Sequence, residues 1–166
     1  MPESVRIIPL GGLGEIGKNC MIIETNEDMV LIDAGLMFPT EEMLGVDLVI
    51  PDVSYVAERI KKLRGILITH GHEDHVGGLP YVLPKLRLPN GKLPPIYCTP
   101  LTRGLISVKL EEHKLLKKAA LHTVHTGDKV QLGRLTAEWI HTTHSIPDSA
   151  AIAVKTAARS GWSRHS

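Results

Sequence analysis

Apolar residues along this chain fall into short runs separated by turn-forming residues. Val5-Arg6-Ile7-Ile8-Pro9-Leu10 reads as a strand that runs into a glycine loop from Gly11 to Gly17. Cys20-Met21-Ile22-Ile23-Glu24 reads as a second strand, Asn26-Glu27-Asp28 as a turn, and Met29-Val30-Leu31-Ile32-Asp33 as a third strand. Unbroken apolar runs of this kind suit strands covered on both faces. A loop from Leu36 to Pro51 follows. Asp52 is placed to cap a helix with Val53, Val56, Ile60 and Leu63 on one face, and Gly65 to stop it.

The next expected strand, Gly65-Ile66-Leu67-Ile68-Thr69, delivers His70 at its carboxyl end, and Gly77-Gly78-Leu79 opens a helix toward Leu86. After a loop from Pro84 to Pro95 come a strand at Ile96-Tyr97-Cys98 and a helix from Leu101 to Leu121. Strand patterns return at 121–124, 129–132 and 136–140, and lead to His144. Strands alternating with helices argue for an α/β layered fold.

The chain has 166 residues, 43% of them apolar and 22% charged, as in a globular domain with a real core. No apolar run approaches the roughly 20 residues of a membrane helix, and no secretory h-region is visible at the amino end. The two cysteines, Cys20 and Cys98, form no CxxC pair, so a cytoplasmic, reduced setting is the simpler reading. A net charge of +1 does not by itself indicate nucleic acid. The basic clusters at Arg59 to Arg64 and Lys114 to Lys118 read as solvated helix faces.

Gly12-Leu13-Gly14-Glu15-Ile16-Gly17 fits the spacing of a dinucleotide fingerprint. That use needs a helix directly after the loop, to hold the pyrophosphate at its N-terminus. Here β-branched apolar residues, a turn and another strand follow, which is a hairpin pattern. A P-loop fails for the same reason, and Asn19 stands where Ser or Thr would ligate magnesium. The loop is expected to shape one edge of a cleft.

Thr69-His70-Gly71-His72-Glu73-Asp74-His75 places three imidazoles and two carboxylates on one strand-to-helix turn. Those donors suit zinc and similar divalent ions. Desolvating so many polar groups without a cation costs several kcal/mol, and Gly71 allows the tight backbone between ligands.

His70-x-His72-x-Asp74-His75, with Leu31-Ile32-Asp33-Ala34-Gly35 upstream and Thr143-His144-Ser145 downstream, resembles the motifs of the metallo-β-lactamase superfamily. Gly11 to Asn19, Met37-Phe38-Pro39, Leu44-Gly45-Val46-Asp47, Ile50-Pro51-Asp52 and His144 to Ser149 resemble the ribonuclease J family within it. The resemblance spans residues 5 to about 155. It implies the N-terminal portion of a metallo-β-lactamase αββα sandwich, and a metal-dependent phosphodiester hydrolase acting on RNA with 5′-to-3′ exonuclease and endonuclease activity. It implies that His70, His72 and His144 bind one cation and that Asp74 and His75 contribute to a second, with Asp74 also a catalytic residue. Asp33 would orient a ligand. Zn²⁺, two ions per complete site, is the default, with Mn²⁺ the alternative. RNA is the implied partner, with homo-oligomers in the full-length family and a cytoplasmic location.

Residues 1–154 are read as this domain and residues 155–166 as a divergent tail. The family's later bridging aspartate, its β-CASP insertion and its last ligand histidine have no counterparts in the chain. The expectation is therefore a fragment, with weak metal binding and little or no activity alone. A small-substrate hydrolase such as a thioesterase, and a non-catalytic metal-binding module, are the competing readings. Histidines 113, 122, 125, 141 and 165 match no ligand motif. His141, three residues before His144, is a candidate for supporting a ligand from behind.

Overall fold

The structure, a computed structural model, describes residues 4–156. Residues 157–166, most of the expected divergent tail, lie outside the described residues.

Six strands form the first sheet in sequential order: β1 (Arg6–Gly11), β2 (Cys20–Glu24), β3 (Met29–Ile32), β4 (Leu63–Leu67), β5 (Ile96–Cys98) and β6 (Leu121–Thr123). The first three pair antiparallel as a meander, and the rest join in parallel. The glycine loop is thus the turn of a β1–β2 hairpin, as the hairpin pattern indicated. A second sheet stacks β7 (Lys129–Leu132), β8 (Leu135–His141) and β9 (Ala150–Lys155) antiparallel.

Alternation along β3 shows how the layers are built. Leu31 faces a core shared with the helices, beside Val56, Ile66, Leu79, Val82, Ile106 and Leu110. Val30 and Ile32 face the second sheet, against Leu132, Leu135, Ala137 and Trp139. Period-2 geometry sends neighbouring side chains to opposite faces, so an unbroken apolar run is what a strand between two layers requires. The described residues therefore stack as helices, sheet and sheet. Trp139 is fully buried, and its Nε1–H donates to the Ile68 carbonyl at 3.2 Å, tying β8 to the end of β4.

Two buried carboxylates hold the layers laterally. Glu24 receives Tyr55 Oη at 2.7 Å, Lys62 Nζ at 2.9 Å and Arg6 at 3.0 Å. Asp28 accepts the Arg134 N–H of the second sheet at 2.7 Å and pairs with Arg64.

Several helices are shorter than their apolar spacing suggests. α1 spans only Ser54–Glu58, a 3₁₀ turn covers Ile60–Lys62, and Leu63 already pairs with Met29 in the sheet. The N-cap position of α1 is Val53, one residue after the expected Asp52, whose Oδ1 nevertheless accepts the Ser54 N–H at 2.9 Å. The turn after β4 contains α2 (Glu73–Val76), and α3 covers Leu79–Val82 before a 3₁₀ turn. The long helix expected from Leu101 to Leu121 is α4 (Pro100–Glu112); Lys114 takes a left-handed conformation (φ +57°) and breaks it. β9 has no counterpart among the strands read from the sequence.

Candidate metal centre

The carboxyl ends of β3 and β4 open on the same side of the sheet, because the two strands are parallel. Asp33 follows β3 and His70 follows β4 by three residues. Asp33 has φ +59°, in the left-handed region, which turns its side chain across the sheet end instead of continuing the strand. Its Oδ1 accepts the Thr69 amide at 2.9 Å, and its Oδ2 accepts the Thr69 hydroxyl at 2.9 Å.

The segment after Asp33 then grips the histidine turn through its backbone. Ala34 N–H donates to His75 O at 2.8 Å, Leu36 N–H to Glu73 O at 3.1 Å, and Gly78 N–H to Ala34 O at 2.8 Å. Gly35 lies where the two segments touch: a Cβ there would stand 1.6 Å from the Asp74 carbonyl oxygen. Only glycine permits this approach.

Four imidazoles meet at the resulting mouth. The His70 ring centroid is 4.8 Å from that of His72, 4.0 Å from His75 and 4.5 Å from His144. Ligand atoms of His70, His72 and His144 all lie within 4.8 Å of one another. A tetrahedral zinc with Zn–N near 2.0–2.1 Å needs nitrogens about 3.3 Å apart, a gap that rotation of the exposed His144 side chain can close. His75 Nε2 stands 3.5 Å from Asp74 Oδ2, a second pairing of ligand-type atoms. The donor set therefore fits divalent-cation chemistry.

Hydrogen bonds decide which nitrogen of each ring is free. His75 Nδ1 lies 2.7 Å from Asp33 Oδ2. A carboxylate only accepts, so the proton resides on Nδ1 and Nε2 keeps its lone pair toward Asp74. His70 Nδ1 lies 2.9 Å from Thr69 Oγ1, whose hydrogen is committed to Asp33. His70 therefore also carries its proton on Nδ1, and its Nε2 faces His72 at 3.2 Å. One buried carboxylate thus sets the tautomers of two imidazoles, one of them through a hydroxyl relay.

Burial, followed by the fields of His75, His144 and His72, pushes His70 down to about 4, so this ring stays neutral at pH 7. Burial works against charge on His75, but its hydrogen bond to Asp33 and the charges of Asp33 and Asp74 outweigh it, and its pKa is raised.

Two supporting residues were given no role from the sequence: Thr69, the relay, and Asn19. Asn19 Nδ2 donates to Asp74 Oδ2 at 3.0 Å and lies 3.2 Å from His75 Nε2, so the glycine hairpin steadies the turn. His141 ends β8 in register with Ala150 and is exposed, outside the group of four rings.

These motifs and this layering coincide with a family pattern: residues 13–156 match the Metallo-beta-lactamase superfamily. The chain belongs to that superfamily. Among metallo-β-lactamase relatives, it is 48% identical over 156 residues to a ribonuclease J of Helicobacter pylori and 44% identical over 154 residues to a ribonuclease J 2 of Staphylococcus aureus. Each alignment covers 93% of this chain but only 22% and 27% of those relatives, so the chain spans about a quarter of their length. The fold matches a solved diphosphatase of the PhnP family with TM-score 0.63 and 22% identity, covering 93% of this chain and 62% of that one. The α/β fold and the resemblance read from the motifs are thus borne out.

Proposed function

We propose that this chain carries the metal site of a ribonuclease J-type phosphodiester hydrolase whose substrate is RNA. Three imidazoles on one turn and one loop, each with a ligand-type nitrogen within 4.8 Å of the others, carry this reading. The identity to two ribonucleases J over nearly the whole chain directs it toward RNA.

His70, His72 and His144 hold one divalent cation, and Asp74 with His75 contribute to a second. A pair of bound cations supplies a lowered water pKa and stabilises the attacking and leaving oxygens of an in-line displacement. Asp33 fixes the lone pairs of His75 and His70 toward the site, directly and through Thr69. Asp74, its carboxylate held by Asn19, both binds a cation and orients the attacking water. Zinc suits the histidine-rich part of the set, and manganese suits a site with more oxygen.

The proposed substrate is RNA cut from the 5′ end or internally, the proposed location cytoplasmic, and the proposed assembly of a longer protein a homo-oligomer. No helix of the described residues is long and apolar enough to cross a membrane.

The test is metal analysis and RNA cleavage on the purified chain, with zinc or manganese, beside His72→Ala and a thioester substrate. Bound metal that is lost in the variant, with RNA turned over in preference to the thioester, supports the proposal. A folded protein that takes up neither ion, unchanged by His72→Ala, refutes it.

A further inference from the structure

His144 sits on the loop between β8 and β9, and it and both its neighbours are exposed. A ring on such a loop joins rings on a packed turn only if the loop is tied down. Asp148 does this from a left-handed conformation (φ +67°). Its Oδ2 accepts the Leu101 amide at 3.0 Å, in the first turn of α4 where N–H groups lack intrahelical partners. Thr99 Oγ1 donates to the Asp148 carbonyl at 2.9 Å. Thr99 occupies the N-cap position of α4 but makes no side-chain cap bond, so the carboxylate arriving from the loop takes that role. Ser149 Oγ to Ile146 O at 2.9 Å and Ala150 N–H to Thr69 O at 3.0 Å close the loop onto the strand end.

The same helix touches the other ligand segment. A Cβ on Gly71 would come within 2.5 Å of Leu105 Cδ1, and Lys109 Nζ bonds Glu73 at 2.9 Å. Thus α4 abuts both the turn bearing His70 and His72 and, through Asp148, the loop bearing His144.

We infer that Asp148 is a positioning residue for His144: by capping α4 it fixes the loop against the helix that also braces the histidine turn, and so sets the three-imidazole geometry. This rests on the reading of His70, His72 and His144 as cation ligands.

Cobalt(II) titration of the whole chain, read by visible absorption, supplies the first arm. Asp148→Ala weakens cobalt binding by about tenfold, the range of a lost cap or of a lost ligand-supporting contact. Asp148→Asn, whose Oδ1 can still accept from Leu101, recovers affinity to within about threefold, because Asn caps as well as Asp. Asp148→Gly relieves the left-handed backbone while deleting the carboxylate, and behaves like Ala. Glu111→Gly weakens the last turn of α4 at an exposed position away from both the loop and the histidine turn; it lowers thermal stability and leaves cobalt affinity unchanged.

The second arm needs no metal. The ring-proton resonances of His144 move toward those of a free, exposed imidazole in Asp148→Ala and Asp148→Gly, and not in Glu111→Gly. Native far-ultraviolet circular dichroism with unchanged cobalt affinity and unchanged His144 resonances in Asp148→Gly overturns the inference. If the unaltered chain binds no cobalt and His144→Ala changes nothing, the ligand reading has failed instead, and the resonance arm alone decides whether the clamp exists.

Discussion

An Asp33→Asn substitution keeps the shape of a residue that is only 5% exposed and changes which of its side-chain atoms can accept a hydrogen bond. The carboxylate accepts three hydrogen bonds, two from Thr69 at 2.9 Å and one from His75 Nδ1 at 2.7 Å. With Oδ1 of the amide kept on the Thr69 N–H, its Nδ2 group faces both the Thr69 hydroxyl and the His75 ring. Two donors then oppose each other, and His75 shifts its proton from Nδ1 to Nε2, the nitrogen beside Asp74. A charge-assisted bond contributes about 1.5–3 kcal/mol, so metal-free stability falls by roughly that amount. Divalent-cation affinity falls about 10- to 100-fold, the usual cost of losing the partner behind a ligating histidine.

The pH dependence separates this mechanism from a general loosening. His75 titrates above its ordinary 6.5 in the folded chain. Its contribution to stability is therefore complete below 6.5 and fades as pH rises through the raised folded value. His70 behaves oppositely: ordinarily near 6.5 but held to about 4 when folded, it destabilises the fold progressively as pH drops from 6.5 toward 4. The imidazoles thus place a metal-free stability maximum near pH 6.5, and Asp33→Asn removes the decline on its alkaline side. Urea unfolding across pH 5–9, with nitrogen chemical shifts of the His75 ring, measures both effects. An Asn variant that retains the Nδ1 proton, the alkaline decline and near-normal zinc affinity would refute control by Asp33.

Gly35→Ala forces a methyl to within 1.6 Å of the Asp74 carbonyl oxygen, so the two gripping segments must part; the expected result is loss of several kcal/mol and of metal binding, seen by calorimetry and metal analysis. Below pH 4.5 the fold loses the contribution of Glu24: burial opposes its charge, but Tyr55, Lys62 and Arg6 outweigh that and lower its pKa, so stability present above 4.5 is lost as pH falls toward the folded value. Glu24→Gln flattens that acid limb in urea unfolding, and an unchanged limb contradicts the assignment. Cys20 and Cys98 are buried and their thiols are pushed up to about 12, chiefly by burial; iodoacetamide at pH 8 therefore labels neither in the native protein and both in urea, as mass spectrometry will show.

The central strands were legible because strands enclosed on both faces need short unbroken apolar runs bounded by turn residues, and the hairpin because a tight turn separates two such runs at β2 and β3. Helix lengths were not. Val53, Val56, Ile60 and Leu63 share a helical spacing, yet Leu63 is recruited by pairing with Met29, a partner distant in sequence. The stretch after Glu112 kept helix-favouring lysines and leucines, and only the left-handed Lys114 reveals the break. β9 is rich in alanine, which signals no strand; its extended form comes from its register with β8. In the site, His70, His72, Asp74 and His75 announced themselves by density, and His144 only by its resemblance to a family motif. The roles of Thr69, Asn19 and Asp148 were not legible, since each depends on a hydrogen bond to a residue that folding brings close: Asp33, Asp74 and Leu101.

The ligand-type residues come from three separate stretches, around Asp33, from His70 to His75, and at His144, each ending a different strand. Chelation and global folding are then a single equilibrium. An ion held a hundredfold above its dissociation constant shifts that equilibrium by about 2.7 kcal/mol. Proteases, which cut transiently opened molecules, should therefore digest the chain faster whenever a chelator strips the ion, even at peptide bonds far from any histidine.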